Sequence, residues 1–381
     1  MMKNIFLFLL CLFSLIRTST AQDGKAPSAR SGAEHAAKRT IVATFGTNPD
    51  ALLKKAGDLF NAGDYDACIS LLDSLDKNQG FNKMDREDLL TLLVKAELEE
   101  DNLDKANAAA RKLLLNNPHY ELVDANNEDN FNKLIRSFDI HPLLSFGIRN
   151  TMLFASMPTT KVNSLPSYSH YDAPYNPPKY FLMYYGWVEY HFGKDFSVNA
   201  EALFWNLTYN RSLALSPARS LNYSETMHFL EIPVYVKQYV PHVWNISFLK
   251  NILPYGALGF SWLRMTGANA IAWGNMYNAN GTAVLGSYSS GTTDVLSARK
   301  LNMFEWVVGG GIGYKLKNLR LFLEWRYYGG LNSFTNSSGQ GSINPLTPNY
   351  SYTDNAVKIN KTELGASISF TLRNSVKKKK K

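Results

Sequence analysis

From residue 141 onward, short runs of residues alternate between apolar and polar positions. The last run shows this clearly, with Leu364 and Phe370 on one parity and Glu363 and Ser369 on the other. Successive side chains of a β-strand point to opposite faces, so this alternation predicts strands with one apolar and one polar face. The runs cover residues 142–155, 180–192, 196–209, 229–240, 252–265, 304–314, 319–328 and 361–372.

The connections between these runs alternate in length. Short connections at 193–195, 241–251 and 315–318 alternate with long ones at 156–179, 210–224, 266–300 and 329–357. Short turns on one side and long loops on the other are typical of an outer-membrane barrel. An even number of strands then places both ends of the barrel on the periplasmic side. We therefore predict an eight-stranded antiparallel transmembrane β-barrel over 141–372.

A soluble sandwich or a lipocalin-like barrel is the competing fold. Either would bury the apolar parity and expose the polar one. Aromatic residues border the apolar parity here, among them Trp306, Trp325 and Tyr327. Such residues are typical of the girdles at the two membrane interfaces, which favours the membrane barrel.

The polar parity of a membrane barrel faces its lumen, and here it carries similar numbers of acidic and basic residues. An eight-stranded barrel is just wide enough for side chains to fill it. We therefore predict a structural network of ion pairs, with a transport path as the second interpretation. The residues predicted for this network are Arg149, Glu189, His191, Glu201, Glu231, Lys237, Glu305, Arg320, Glu324, Arg326, Lys361 and Glu363.

The segment 48–138 has a helical pattern and contains none of the seven Trp residues. Its second helical pair resembles a tetratricopeptide repeat in the spacing from Ala106 to Pro118, whereas the first pair departs from the repeat. Cys68 falls where a small residue packs between helices. The predicted fold class is thus α+β multidomain, with a small all-α helical-hairpin repeat domain before the barrel. Short domains of this kind usually bind a peptide or a neighbouring protein, and a spacer or cap is the alternative.

The N-terminus predicts export. Lys3 precedes an apolar run from Ile5 to Ile16, and small residues at Ser19 and Ala21 suit a signal peptidase. We predict a signal peptide at 1–21 and a flexible leader at 22–47. Cleavage would leave Cys68 as the lone cysteine, which excludes an intramolecular disulfide framework.

The net charge of +8 is concentrated at the ends of the chain. Setting aside Lys3, Arg17 and the run Lys377–Lys381 leaves +1 for the body. The excess therefore predicts a solvated basic tail at 373–381, and no nucleic-acid surface.

Three segments together resemble a known family. They are the run Leu230–Lys237, the strand with Gly309–Gly313 and the closing alternation at 361–372. Over about 141–372 the chain resembles the outer-membrane β-barrel domain common in Bacteroidota envelopes. That family includes an accessory barrel of the type IX secretion and gliding machinery. The resemblance implies an outer-membrane location and an accessory or assembly role.

The sequence contains no G-x-S-x-G elbow, no H-E-x-x-H motif and no metal-ligand spacing. We predict a non-enzymatic barrel without a cofactor, which anchors a periplasmic interaction domain in an envelope complex. Its predicted partners are outer-membrane lipid and a periplasmic or outer-membrane protein. A small channel or uptake protein is the first alternative. A lipid-modifying barrel enzyme, with His191 as its base, is the second.

Overall fold

The computed structural model describes residues 49–77, 81–122, 129–162, 174–178, 180–216, 218–240, 251–336, 346 and 354–379. The predicted signal peptide and leader lie outside the described residues, as do parts of the predicted long connections. The chain divides into two compact units, Met1–Asn116 and Asn117–Lys381.

The first unit contains helices that pack against their neighbours in chain order. They are α1 (Pro49–Asn61), α2 (Tyr65–Asp76), α3 (Lys83–Glu99) and α4 (Leu103–Asn116). Gly63 permits the turn before α2 because its φ of 78° lies in the left-handed region. Asp64 then caps α2 by accepting a hydrogen bond from Ala67 N–H at 3.2 Å. Cys68 and Ala56 are fully buried, and the thiol lies 3.3 Å from the Ala56 carbonyl oxygen. Within the described residues, no helix is long and apolar enough to cross a membrane.

The second unit begins with a short helix, α5 (Asn130–Arg136), and continues with long strands. Asp129 caps α5 by accepting a hydrogen bond from Asn132 N–H at 2.6 Å. The strands are β1 (Phe138–Ser156), β2 (Phe181–His191), β3 (Phe196–Ser216), β4 (Arg219–Tyr239), β5 (Ile252–Tyr277), β6 (Asn302–Leu316), β7 (Leu319–Gly330) and β8 (Asn360–Lys378).

These eight strands form a ring. Each strand pairs antiparallel with the strands before and after it in the chain, and β8 pairs with β1. We call one end of the ring the near end. It contains the connections at 193–195 and 317–318, the first residue of β1 (Phe138) and the last residue of β8 (Lys378). The opposite end is called the far end. The order of helices followed by an antiparallel ring of eight strands confirms the prediction at that level.

Side chains alternate between the inside and the outside of the ring along most of each strand, and in β5 the inward parity changes between Met265 and Ala268. In β8, Lys361 and Glu363 are buried inside, whereas Leu364 and Leu372 are 48% and 52% exposed outside. A soluble protein distributes these residue types in the opposite way. Charged side chains inside and apolar side chains outside are what a lipid-embedded barrel requires.

The strands extend further toward the far end than the sequence predicts. Residues 210–224, predicted as a long connection, are mostly paired strand, with Leu213 opposite Leu221. Likewise β5 continues to Tyr277 and takes up part of the predicted connection 266–300. In the extensions of β3 and β4 the outward side chains are polar, for example Asn210 and Ser212. The contrast between apolar and polar parity, on which the prediction depended, therefore weakens there.

The predicted boundaries of the barrel and its basic tail are also corrected. β8 runs on to Lys378, past the predicted end at residue 372, because β1 starts early enough to pair with it. Lys377 lies opposite Asp139, and Lys379 N–H donates to the Ser137 carbonyl oxygen at 2.8 Å. Residues 373–378 of the predicted tail are therefore β-strand.

Candidate functional site

All twelve residues of the predicted lumen network lie inside the ring. Each is at most 6% exposed, and every strand except β5 contributes at least one of them. The inward parity of the strands positions these side chains. Buried charges are stable only where other charges or hydrogen bonds compensate them, so their partners decide what the interior can do.

One part of the network is centred on Glu201. Arg326 donates to both Glu201 carboxylate oxygens, at 2.8 and 3.0 Å. Arg149 and the Tyr235 hydroxyl also donate to Glu201. A carboxylate that accepts from two guanidinium groups is held in a fixed geometry. Arg149 also pairs with Glu324, which lies 3.6 Å from Arg326.

Lys237 links this centre to the near end of the ring. Its ammonium nitrogen lies 3.6 Å from Glu189 and 3.7 Å from Glu324. The same nitrogen lies 4.8 Å from the centre of the Trp187 ring and 4.9 Å from that of Tyr255. Aromatic faces attract cations, so these rings also stabilise the positive charge of Lys237, together with the two carboxylates.

Lys361 forms a separate part of the network, with Glu231 and Glu305. Its ammonium group donates to Glu231 and lies 2.8 Å from Glu305. The Ser261 hydroxyl donates to the other Glu231 oxygen at 2.7 Å. The remaining acid, Glu363, accepts from the hydroxyls of Tyr185 and Tyr328 and lies 3.9 Å from Arg326.

Two of the predicted residues stand apart from the ion pairs. Arg320 is buried, but no carboxylate of the described residues forms a salt bridge with it. Its cross-strand neighbours are Lys315 and Ser369, which carry no negative charge. His191 lies 3.3 Å from Ser145 Oγ and 4.0 Å from Glu189, in both cases through Nε2.

This arrangement around His191 differs from that of a catalytic triad. In a triad, one ring nitrogen faces the nucleophile while the carboxylate orients the other. Here the same nitrogen faces both groups, and Ser145, Glu189 and His191 are each at most 2% exposed. Among the described residues, no three His, Cys, Asp or Glu side chains are placed so that they could hold a metal ion together.

A second buried ion cluster lies toward the far end, and the sequence analysis missed it. Arg299 donates to Glu225 at 2.7 Å and to Asp354 at 2.8 Å. The hydroxyls of Tyr209 and Tyr223 donate to the same Glu225 at 2.6 and 2.7 Å. Period-two alternation of large inward side chains continues through the extensions of β3 and β4, with Arg211 and Leu213 on one strand and Leu221 and Tyr223 on the other, and that signal could have located Glu225.

Apolar and aromatic side chains fill the interior between these two clusters. Trp205 and Phe229 stack at 4.7 Å between ring centres, and Leu207, Met227 and Leu263 are buried with them. An eight-stranded ring has room for little more than its own side chains, and in the described residues this apolar cluster occupies the interior between the two ion clusters. The geometry suits a structural core better than a substrate site.

Three solved structures, one of them an outer membrane protein, are each similar to 60% of this chain. OprG from Pseudomonas aeruginosa is 12% identical, with 60% of this chain and 97% of that chain covered and a TM-score of 0.33. Ail of Yersinia pestis is 13% identical, with 60% and 100% covered and a TM-score of 0.24. Neisserial surface protein A is 11% identical, with 60% and 97% covered and a TM-score of 0.25.

No curated protein matches this sequence. One family model does, and it is described as the outer membrane protein beta-barrel domain. Its match covers residues 124–336, which is more than half of the chain and includes most of the ring. The chain therefore belongs to the outer membrane protein beta-barrel domain family.

Proposed function

We propose that this protein is a non-conducting, non-enzymatic barrel that anchors a helical interaction domain at the periplasmic face of the outer membrane. The observation that carries the proposal is the packed interior. Glu201, Arg149 and Arg326 compensate one another across the lumen, and Trp205 and Phe229 close the space beyond them. A pore of the same strand count would need an interior clear of such groups.

The proposed orientation places the near end of the ring in the periplasm. Short turns face the periplasm in outer-membrane barrels, and the near end carries 193–195 and 317–318. The ring's chain also begins and ends there, at Phe138 and Lys378. The helical unit precedes β1 in the chain and would then occupy the periplasm.

The helical unit supports a binding role through its surface. Met84 and Leu103 are 75% and 60% exposed, although both are large apolar side chains. Four packed helices with a complete core of their own do not need these residues for stability. We infer that they belong to a contact with a periplasmic or outer-membrane protein. We propose an accessory or assembly role in an envelope complex, with protein secretion of the Bacteroidota type as the most specific version.

The buried position of His191 supports the non-enzymatic part of the proposal. A lipid substrate would have to reach a side chain that is 2% exposed inside a packed ring. The companion groups Ser145 and Glu189 are equally enclosed. Replacing His191 by Ala should therefore leave the lipid composition of the outer membrane unchanged.

Photocrosslinking in cells tests the anchoring proposal. A photoreactive residue replaces Met84 or Leu103 in the full chain, and one at Leu323, which is 70% exposed on the outside of the ring, is the control. We expect one defined protein partner from the helical positions, absent from the control, and the same partner should no longer co-purify with the inserted chain when 49–116 are deleted. A correctly inserted chain that yields no such partner would contradict the interaction role.

Single-channel recording separates the anchor from the channel. The purified chain should leave a planar bilayer silent, and Glu324→Gln should not change this because the packed interior remains. Steady conductance that responds to Glu324→Gln or Arg326→Gln would instead support a small channel or uptake protein.

A further inference from the structure

The outward face of β1 contains one strongly polar residue. Its outward side chains, from the near end to the far end, are Leu144, Phe146, Ile148, Asn150, Met152 and Phe154. The eight residue-to-residue steps from Phe146 to Phe154 rise roughly 20 Å along the membrane normal at a tilt of about 40°. An outer-membrane barrel has an apolar band of about 25 Å, so Asn150 lies near the middle of the bilayer.

The amide of Asn150 is exposed, and no residue of the described chain hydrogen bonds to it. Another outward asparagine, Asn206, does have a hydrogen-bond partner. Asn206 lies beyond the apolar positions of β3, and its side-chain oxygen is 2.7 Å from His228 Nδ1 on the neighbouring strand. In hydrocarbon there is no water to satisfy an amide, so a polar side chain at this depth points to a functional contact.

Small residues lie on part of the surface around Asn150, beside the larger Tyr184. Its cross-strand neighbour on β8 is Ala366, and Gly186 lies opposite Ile148 on β2. Ala202 on β3 is in turn opposite Gly186. Small residues at an intramembrane interface let two backbones come together and hydrogen bonds form between polar side chains.

We propose that Asn150 lies at the centre of a contact between two copies of this chain within the membrane. Two copies inserted in one membrane have the same orientation and depth, so a two-fold axis along the membrane normal brings Asn150 opposite itself. A primary amide has both a donor and an acceptor, and two of them form a reciprocal pair. The pair carries no charge, which keeps the cost of its burial in hydrocarbon low.

Other occupants satisfy the amide less well. A lipid acyl chain has no hydrogen-bonding group at mid-depth. A different protein would have to present its own polar group at that depth, whereas a second copy presents one automatically. The hydroxyl of Tyr184, opposite Asn150 on β2, offers a further donor on the same face. This proposal is independent of the partner of the helical unit.

Disulfide trapping in intact outer membranes tests the proximity. In a Cys68→Ala background, Asn150→Cys should give a covalent dimer on mild oxidation. Leu258→Cys is the matched control, because Leu258 is 67% exposed on β5, four strands away around the ring. Equal trapping at both positions, or none at Asn150→Cys, would overturn the proposal.

A second measurement tests the amide itself. Sedimentation equilibrium in detergent should show that Asn150→Leu weakens self-association by roughly 5- to 30-fold, whereas Leu258→Asn does not strengthen it. Self-association that is unchanged by Asn150→Leu would contradict the reciprocal amide pair. Capture of a different protein by a photoreactive residue at position 150, with no dimer, would assign the face to that protein and overturn the second copy as occupant.

Discussion

Replacing Lys361 by Met is the sharpest test of the buried ion pairs. Lys361 is 1% exposed and is the base that the carboxylates of Glu231 and Glu305 share. Methionine has a similar length and fills the same space without a charge. The substitution therefore removes the positive charge and leaves two acidic side chains facing each other inside the ring.

The size of the effect follows from the contact geometry. At the 2.8 Å between Lys361 and Glu305, with an effective dielectric constant of about 20, the gross attraction is about 6 kcal/mol. Removing one partner of a buried pair while the other stays charged typically costs about 3–5 kcal/mol, since part of the attraction offsets desolvation. We expect a loss of that size in the free energy of unfolding.

The assay is urea unfolding of the chain in lipid vesicles, followed by tryptophan fluorescence. Lys194→Met is the matched control, because Lys194 pairs with Asp139 at 2.8 Å but its side chain is 56% exposed. An exposed pair contributes about 0–1 kcal/mol. If Lys361→Met and Lys194→Met lowered the free energy of unfolding equally, the ion pairs of the lumen would not hold the ring together.

Three further outcomes are expected. In the same unfolding assay, Gly259→Ala should destabilise the ring by about 1–3 kcal/mol, because an added Cβ would lie 2.3 Å from the Val234 carbonyl oxygen. Gly256→Ala is the control and should be neutral, because a Cβ at that position meets nothing within 4 Å. Burial raises the pKa of the Cys68 thiol to about 11, so maleimide should label it at pH 7 only after the helical unit unfolds, as mass spectrometry can show. Burial also raises the pKa of the Glu97 carboxyl. The contribution of Glu97 to stability is therefore present at acidic pH and is lost as the pH rises through the folded-state pKa. Circular dichroism at 222 nm during urea unfolding should show this trend, and Glu97→Gln should make the free energy of unfolding less dependent on pH.

A strand of the ring could be predicted wherever one of every two successive side chains faces lipid and the other faces the interior. Alternation such as that of Glu363 with Leu364 encodes the strand and its two environments at once, because the period of a strand is fixed at two. Strands were not predicted where the inward and outward side chains no longer differ in polarity. Around Asn210 and Arg211 the outward side chains meet water, and the sequence there resembles a loop although it pairs as strand.

The partners of the charged side chains inside the ring also could not be predicted from the sequence. The sequence indicated that Glu201, Arg326 and Lys361 face the lumen, since parity alone decides that. It did not indicate that Arg326 reaches Glu201 from β7 to β3, or that Lys361 reaches Glu231 from β8 to β4. Those contacts cross the interior between strands that are not neighbours.

The sequence by itself determined the strand order, the two environments and the presence of charges in the interior, because these depend on local periodicity and on the solvent that each face meets. The tertiary structure decided the rest. Ring formation between β1 and β8 sets the register, and the register decides that Glu201 has two guanidinium partners while the cross-strand neighbours of Arg320 are Lys315 and Ser369. The same register places Asn150 beside Ala366 on the outward face, and this pairing has no local signature because separation in the chain does not specify distance around a ring.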